Sequence, residues 1–273
     1  MSTVLRRFMI TPHLEKRPSS WPVVKRALAI IGLFSVLAWA SVQTGLGQEQ
    51  AWPLPTLPPG ANPAVIATPK QDWLVRVQAT LDRTRGKQFD LVFDGDSITD
   101  GWQGVGKDIW TEHYAPLNAI DFGISGDRTE NVLWRLQHGQ VDGMNPKLIV
   151  LMIGTNNMGR DKASQIVEGI KAIVVEYEKR CPDAHILLLG IFPRGQSPTD
   201  PNRAKISDVN KQITSLDDGK RVTYLDIGSK FLQPDGTLSN EIMPDFLHPS
   251  MKGYQIWVDA IHTVVDLHCP KSK

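Results

Sequence analysis

From Lys70 onward the apolar positions switch between two spacings, and the switching predicts helices and strands in turn. Asp72 to Arg85 sets Trp73, Val77 and Leu81 on one helical face, and the apolar run Phe89 to Phe93 predicts a first strand. A short helix is expected over Gly106 to Tyr114, a second strand over Ala119 to Phe122, and a helix over Thr129 to Gln137. Leu148 to Ile153 (LIVLMI) is apolar throughout, the pattern of a strand covered on both faces of a parallel sheet. Ala163 to Arg180 carries the stripe Ile166, Ile170, Ile173, Val174 and Tyr177, with Pro182 just past its end. His185 to Ile191 reads as the fourth strand, Ala204 to Leu216 as a helix, and Val222 to Leu225 as the fifth strand. Ser250 caps a last helix that runs to about His268, with Tyr254, Trp257, Ile261 and Val265 inward. Five short strands separated by helices predict an α/β fold, a three-layer α/β/α sandwich on a five-stranded, mainly parallel sheet. Every strand-to-helix loop then falls on one edge of that sheet.

The chain before Lys70 has a different pattern. Residues 1–26 are polar and basic, and Ala27 to Val42 is then apolar, short for a membrane span and right for a signal-peptide core. Ala38-Trp39-Ala40 has the small-x-small form of a cleavage site, so residues 1–40 are expected to be a signal peptide, with Ser41 first in the mature chain. An uncleaved membrane anchor through residues 27–42 is the alternative. Either reading implies a secreted, periplasmic or membrane-anchored protein. Residues 41–69 are expected to be a proline-rich linker or an extended segment on the domain surface, and 70–273 the folded domain.

Composition changes little. The 273 residues are 41% hydrophobic with a formal net charge of +1, so no nucleic-acid footprint is expected. Cys181 and Cys269 have no second cysteine or suitably spaced histidine nearby, which excludes a zinc site of the usual spacing. They are left as one disulfide, if the protein is exported, or as two thiols.

The chemistry gathers in the edge loops. Asp94-Gly95-Asp96-Ser97 follows the first strand and delivers a hydroxyl to the ligand-binding edge of the sheet. Gly123-Ile124-Ser125-Gly126 follows the second strand and frees backbone N–H groups to face an anion. Gly154-Thr155-Asn156-Asn157 follows the third and offers an amide donor of the kind that stabilises a tetrahedral oxyanion. Asp245-Phe246-Leu247-His248 precedes the last helix; of the seven histidines, His248 alone falls in a loop at that edge, with Asp245 placed to orient it. Singly, each signal is ordinary turn chemistry. Arg128 and Arg194, also at the edge, are candidates for binding an anionic substrate group or for surface ion pairs.

These four blocks, in this order, resemble the SGNH (GDSL-type) serine hydrolases, over roughly Lys70 to His268. DFGISGDRTENVLWRLQHGQ, MIGTNN and LLLGIFPRGQSP look in addition like the catalytic subunits of intracellular platelet-activating-factor acetylhydrolases. The resemblance implies the flavodoxin-like fold, Ser97 as nucleophile, His248 as base and Asp245 as its orienter. It implies an oxyanion hole of the Ser97 and Gly126 N–H groups and the Asn156 side chain, with Asn157 turned toward the following helix. The expected activity is hydrolysis of short acyl esters, acetyl foremost, of a small-molecule or carbohydrate alcohol, without metal or cofactor. A lipase or lysophospholipase on longer chains and a non-catalytic carbohydrate-binding module are the alternatives. A membrane is an expected partner only through an uncleaved N-terminal segment, and a homodimer is left open.

Overall fold

The computed structural model describes residues 52–271. Twelve helices and strands follow in order: α1 (Leu74–Thr84), β1 (Leu91–Gly95), α2 (Ser97–Asp100), α3 (Lys107–His113), β2 (Ala119–Asp121), α4 (Thr129–Gln137), β3 (Leu148–Met152), α5 (Ala163–Arg180), β4 (His185–Leu189), α6 (Pro201–Ile213), β5 (Val222–Leu225) and α7 (Met251–His268). Short 3-10 turns lie between them. The strands form one sheet in the order β2-β1-β3-β4-β5, every neighbouring pair parallel. This is the predicted α/β sandwich, and the order reverses between β1 and β3. A crevice opens at such a reversal, outside the carboxyl ends of the strands. The register pairs Gly95 with Met152, so the loops after β1 and β3 leave the sheet side by side.

Two cores cover the two faces. Val92, Ile149, Leu151, Ile186 and Leu188 pack against α4, α5 and α6. Leu91, Phe93, Val150, Leu187 and Leu189 pack against α3 and α7. All five residues of β3 are fully buried, and each such aliphatic side chain contributes roughly 1.5 to 3 kcal/mol. On the α7 face the core is aromatic: Phe93, Trp102, Trp110, Tyr114, Tyr254 and Trp257 meet at ring-centroid distances between 4.3 and 6.2 Å. Trp102, Trp110 and Trp257 therefore serve packing.

Several elements end a residue or more from their predicted bounds, and β1 and α6 show why. β1 was expected over Phe89 to Phe93 but runs to Gly95, because the buried Asp94 continues the ladder opposite Leu151. α6 starts at Pro201 rather than Ala204, with the Asp200 carboxylate accepting from the Asn202 N–H; proline is favoured in a first turn, where no helical donor is lost.

The proline-rich stretch is fastened to α4. Thr129 Oγ1 donates to the Ala64 carbonyl (2.9 Å) and Asn131 Nδ2 to that of Thr68 (2.9 Å). Trp52 meets Trp134 and His138 edge-on. Cys181 and Cys269 are both free and buried. They belong to the separate cores on opposite faces of the sheet, so the disulfide left open by the sequence does not form.

Candidate active site

At the end of β1 the chain turns sharply. A Cβ on Gly95 would collide with the Met152 carbonyl and the Thr99 hydroxyl, so only glycine allows this approach. Asp96 then caps α2, its Oδ1 accepting from the Ile98 N–H at 3.0 Å. Ser97 is thereby held at the first position of a one-turn helix, half-buried at the crevice. Tyr254 of α7 donates to the Ile98 carbonyl (2.8 Å), tying this turn to the last helix.

The loop before α7 supplies the facing groups. Phe246 adopts a positive φ of 57°, and its carbonyl accepts from the Gly195 N–H at 2.8 Å. This bend folds the Asp245 carboxylate back on the loop, where Oδ1 accepts from the N–H groups of Leu247 (3.1 Å) and His248 (2.8 Å). Oδ2 lies 2.6 Å from His248 Nδ1, and His248 Nε2 lies 2.8 Å from Ser97 Oγ. With Nδ1 donating to a carboxylate, the neutral ring leaves Nε2 as an acceptor for the serine proton. Burial alone raises the Asp245 pKa, but the hydrogen bonds from His248 outweigh it and hold the carboxyl below its ordinary range.

The loop after β2 is clamped from α1 and α2. Asp100 accepts from the Ser125 N–H and hydroxyl and is paired with Arg76. Lys70 Nζ donates to the Ser125 carbonyl at 2.6 Å. Gly126 has φ of 77°, the left-handed region that favours glycine, and Lys70 Nζ lies against it. Among the described residues, neither the Ser97 nor the Gly126 N–H donates to a protein acceptor.

The loop after β3 brings the two asparagines to different places. Asn156 is half-buried and uses one amide hydrogen on the Asp127 carbonyl (2.9 Å), leaving the other free. Asn157 is fully buried; it accepts from the Thr129 N–H and donates to Asp161 and toward Thr129 and Glu130. It thus caps α4, the preceding long helix, rather than the following one. Arg128 and Arg194 join no ion pair among the described residues. Arg128 Nε donates to the Asn156 carbonyl (3.0 Å) and Arg194 Nη1 to that of Thr155 (3.1 Å).

Beneath the loops lies a charged core that sequence reasoning missed. Arg135 of α4 is buried and donates to Asp94 of β1 and to Asp127, both at 2.9 Å. Tyr177 and Gln140 donate to the other Asp94 oxygen. The one available signal was an acid closing an otherwise apolar strand. Asp96 is also buried, and its Oδ2 has no partner. Burial pushes its pKa up to about 7 against the pull of the Ile98 N–H.

A doubly wound sheet with serine, histidine and carboxylate in sequence at its switch point defines a class, and the chain's own sequence places it there. It belongs to the GDSL-like lipase/acylhydrolase family, whose model matches residues 93–256, and it is a carboxylic ester hydrolase. The non-catalytic alternative is thereby set aside. In particular, it is 38% identical over 211 residues to human platelet-activating factor acetylhydrolase IB subunit alpha1, spanning 75% of this chain and 90% of the relative. The rat alpha2 subunit is 37% identical over 212 residues, 75% of this chain and 91% of that one. The fold superposes on a GDSL-like lipase from Bacteroides thetaiotaomicron with TM-score 0.57 and 19% identity, covering 72% of this chain and 97% of that one. It superposes likewise on a catalytic mutant of an acetylxylan esterase from Geobacillus stearothermophilus, with TM-score 0.52, 19% identity, and 69% and 98% covered.

The comparison corrects the expected location. The curated relatives are intracellular acetylhydrolase subunits, so the secreted, periplasmic or anchored protein expected from residues 1–42 is not supported. No helix of the described residues is long and apolar enough to cross a membrane. Residues 27–42, which carried that expectation, lie outside the described residues. A basic stretch before an apolar run satisfies the composition of an export signal without specifying export.

Proposed function

We propose that the chain removes short acyl groups, acetyl foremost, from an alcohol through Ser97, His248 and Asp245. The observation that carries the proposal is the unbroken path from Asp245 Oδ2 through His248 to Ser97 Oγ, at 2.6 and 2.8 Å. His248 Nε2 takes the Ser97 proton as Oγ attacks the acyl carbon, and the carbonyl oxygen becomes an oxyanion. The Ser97 and Gly126 N–H groups and the spare amide hydrogen of Asn156 receive that charge. As the tetrahedral species collapses, the alcohol leaves with the proton from His248. Water then gives a proton to His248, attacks the acyl-serine, and releases the carboxylic acid and free Ser97. The acyl preference is supported by two names, an acetylhydrolase subunit among the relatives and an acetylxylan esterase among the solved folds.

The test is turnover of p-nitrophenyl esters from acetate to octanoate, beside labelling by a fluorophosphonate. We expect kcat/KM to fall with chain length and Ser97→Ala to lose a thousandfold to a millionfold of activity, on the order found for a missing triad member. Octanoate preferred over acetate would overturn the acyl assignment; undiminished turnover by folded Ser97→Ala would overturn the nucleophile.

A further inference from the structure

The proposed base stands on the longest connection between two elements of the described chain. Residues 226–250 join β5 to α7 and add no strand to the sheet. Among the described residues, only two hydrogen bonds tie 244–248 to other loops: His248 Nε2 with Ser97 Oγ, and the Gly195 N–H to the Phe246 carbonyl. The second falls where the backbone is least at ease. Phe246 and Asn118 are the non-glycine residues at positive φ among those described. Asparagine tolerates that region, and a bulky aromatic does not. Such a conformation persists only where its surroundings over-determine it. The Phe246 ring rests on the core beneath α7, and its carbonyl is turned to Gly195.

Gly195 is itself held from α6. Arg203 donates Nε to the Arg194 carbonyl (2.7 Å) and Nη2 to that of Gly195 (2.9 Å). Its Nη1 lies 3.4 Å from the Gly236 carbonyl, in the connection that carries His248. All three guanidinium nitrogens are thus used on the backbone of two loops. The Leu238 N–H donates to the Gln196 carbonyl at 3.0 Å and stitches the same two loops together. Burial lowers the Arg203 pKa from its usual value, with Asp200, the cap of α6, opposing. A planar fork reaches neighbouring carbonyls at once, which a single ammonium does not.

We infer that Arg203 is a positioning residue for His248, acting through Gly195 on the strained bend at Phe246. The inference rests on the proposed Ser97 chemistry, since it takes His248 as the base. Arg203 bonds neither Ser97, His248 nor Asp245; it holds the loop that holds the bend. Without it the Gly195 N–H drifts from the Phe246 carbonyl, and Phe246 leaves the left-handed region by odds on the order of tenfold or more. Asp245 and His248 flank that residue, so the carboxylate, the imidazole and Ser97 Oγ then fall out of line. A misplacement of about 1 Å is enough to cost on the order of a hundredfold in rate.

The experiment pairs variants of the full chain. Arg203→Met should lower kcat on p-nitrophenyl acetate by about tenfold to a hundredfold with KM nearly unchanged, and Arg203→Lys should recover part of the loss. Phe246→Gly and Phe246→Asn put a residue that accepts positive φ at the bend. In either background Arg203→Met should cost less than about threefold. The Nδ1 proton between His248 and Asp245 gives a low-field NMR signal that a merely less stable protein keeps. It should broaden in Arg203→Met and sharpen again in the double variants. Should Arg203→Met not fold, Arg203→Lys carries the same comparisons at a smaller loss. Parental kcat in the Arg203 variant, an equal loss with and without the bend substitution, or an unchanged low-field signal overturns the brace alone. A parent that neither turns over the ester nor takes up a fluorophosphonate at Ser97 overturns the proposed chemistry and this inference with it.

Discussion

Ser97 and Asn156 do their proposed work beside polar neighbours that do something else. Asp96 and Ser97 are adjacent and both polar, yet one is sealed and the other faces the crevice. Asn156 and Asn157 are likewise adjacent, and their partners differ completely. Asn156→Ala removes one donor that acts in the transition state, so kcat should drop about a hundredfold to a thousandfold with KM nearly unchanged. Asn157→Ala leaves the Thr129 N–H without its acceptor and Asp161 without a donor, in a fully buried site. Its cost should be on the order of 2 to 3 kcal/mol of stability. Steady-state kinetics and urea melts of both variants check this, and exchanged phenotypes would mean the oxyanion donor is Asn157. The candidate residues were legible because four motifs recur at fixed places in the chain. Lys70 was not, because a lone lysine at the edge of a proline-rich stretch carries no pattern until folding lays it against Gly126.

At the scale of elements, what the sequence showed well was hydrophobic periodicity, and what it hid was polarity inside the core. α4, α5, β5 and α7 match their predicted spans, and β3 does to within one residue, because their apolar stripes end at turn or capping residues. β1 does not, since Asp94 looks like the end of a strand and is instead its ionic anchor. Arg135 joins that anchor to Asp127, whose carbonyl holds Asn156 and whose neighbour is Gly126. One guanidinium therefore links the strand that leads to Ser97 with Gly126 and Asn156, the two other proposed oxyanion donors. Arg135→Met should cost about 3 to 5 kcal/mol, the range for stranding a partner of a buried ion pair. Arg135→Lys keeps the charge but not the fork, so it should lose less stability yet still lower kcat. Chemical denaturation paired with kinetics separates the two effects; an Arg135→Met protein as stable as the parent would show that the pair is not buried in solution.

Taken whole, the molecule buries several acids under its active edge, and its stability must follow pH accordingly. Burial raises Asp96 to about 7 and Asp121 to about 8, and it raises Asp127 despite Arg135. An acid raised on folding is neutral in both states at low pH and charged only in the unfolded chain at intermediate pH. Its stabilising contribution is thus complete below about pH 4 and is lost as pH rises through the folded value. Asp100, Asp161 and Asp245 are shifted the other way, so their contribution is lost as pH falls. The melting temperature should peak on the acidic side of neutral and decline toward pH 8. Asp96→Asn should flatten the decline, by about 4 kcal/mol at most from its share of the shift. Thermal melts at half-unit intervals from pH 4 to 9 test it, and a slope equal in parent and variant would show that Asp96 ionises freely.

The two thiols offer a use that neither fold nor chemistry suggests at first sight. Burial pushes each to a pKa of about 11, so at neutral pH a thiol reagent meets almost no thiolate until the surrounding structure opens. Cys181 closes α5 on one face of the sheet, and Cys269 closes α7 on the other. With one replaced by serine, the remaining cysteine becomes a clock for its own side of the molecule. The labelling rate in the native protein then reads the free energy of opening that layer. Comparing the two clocks tells whether the helical layers detach together or one at a time.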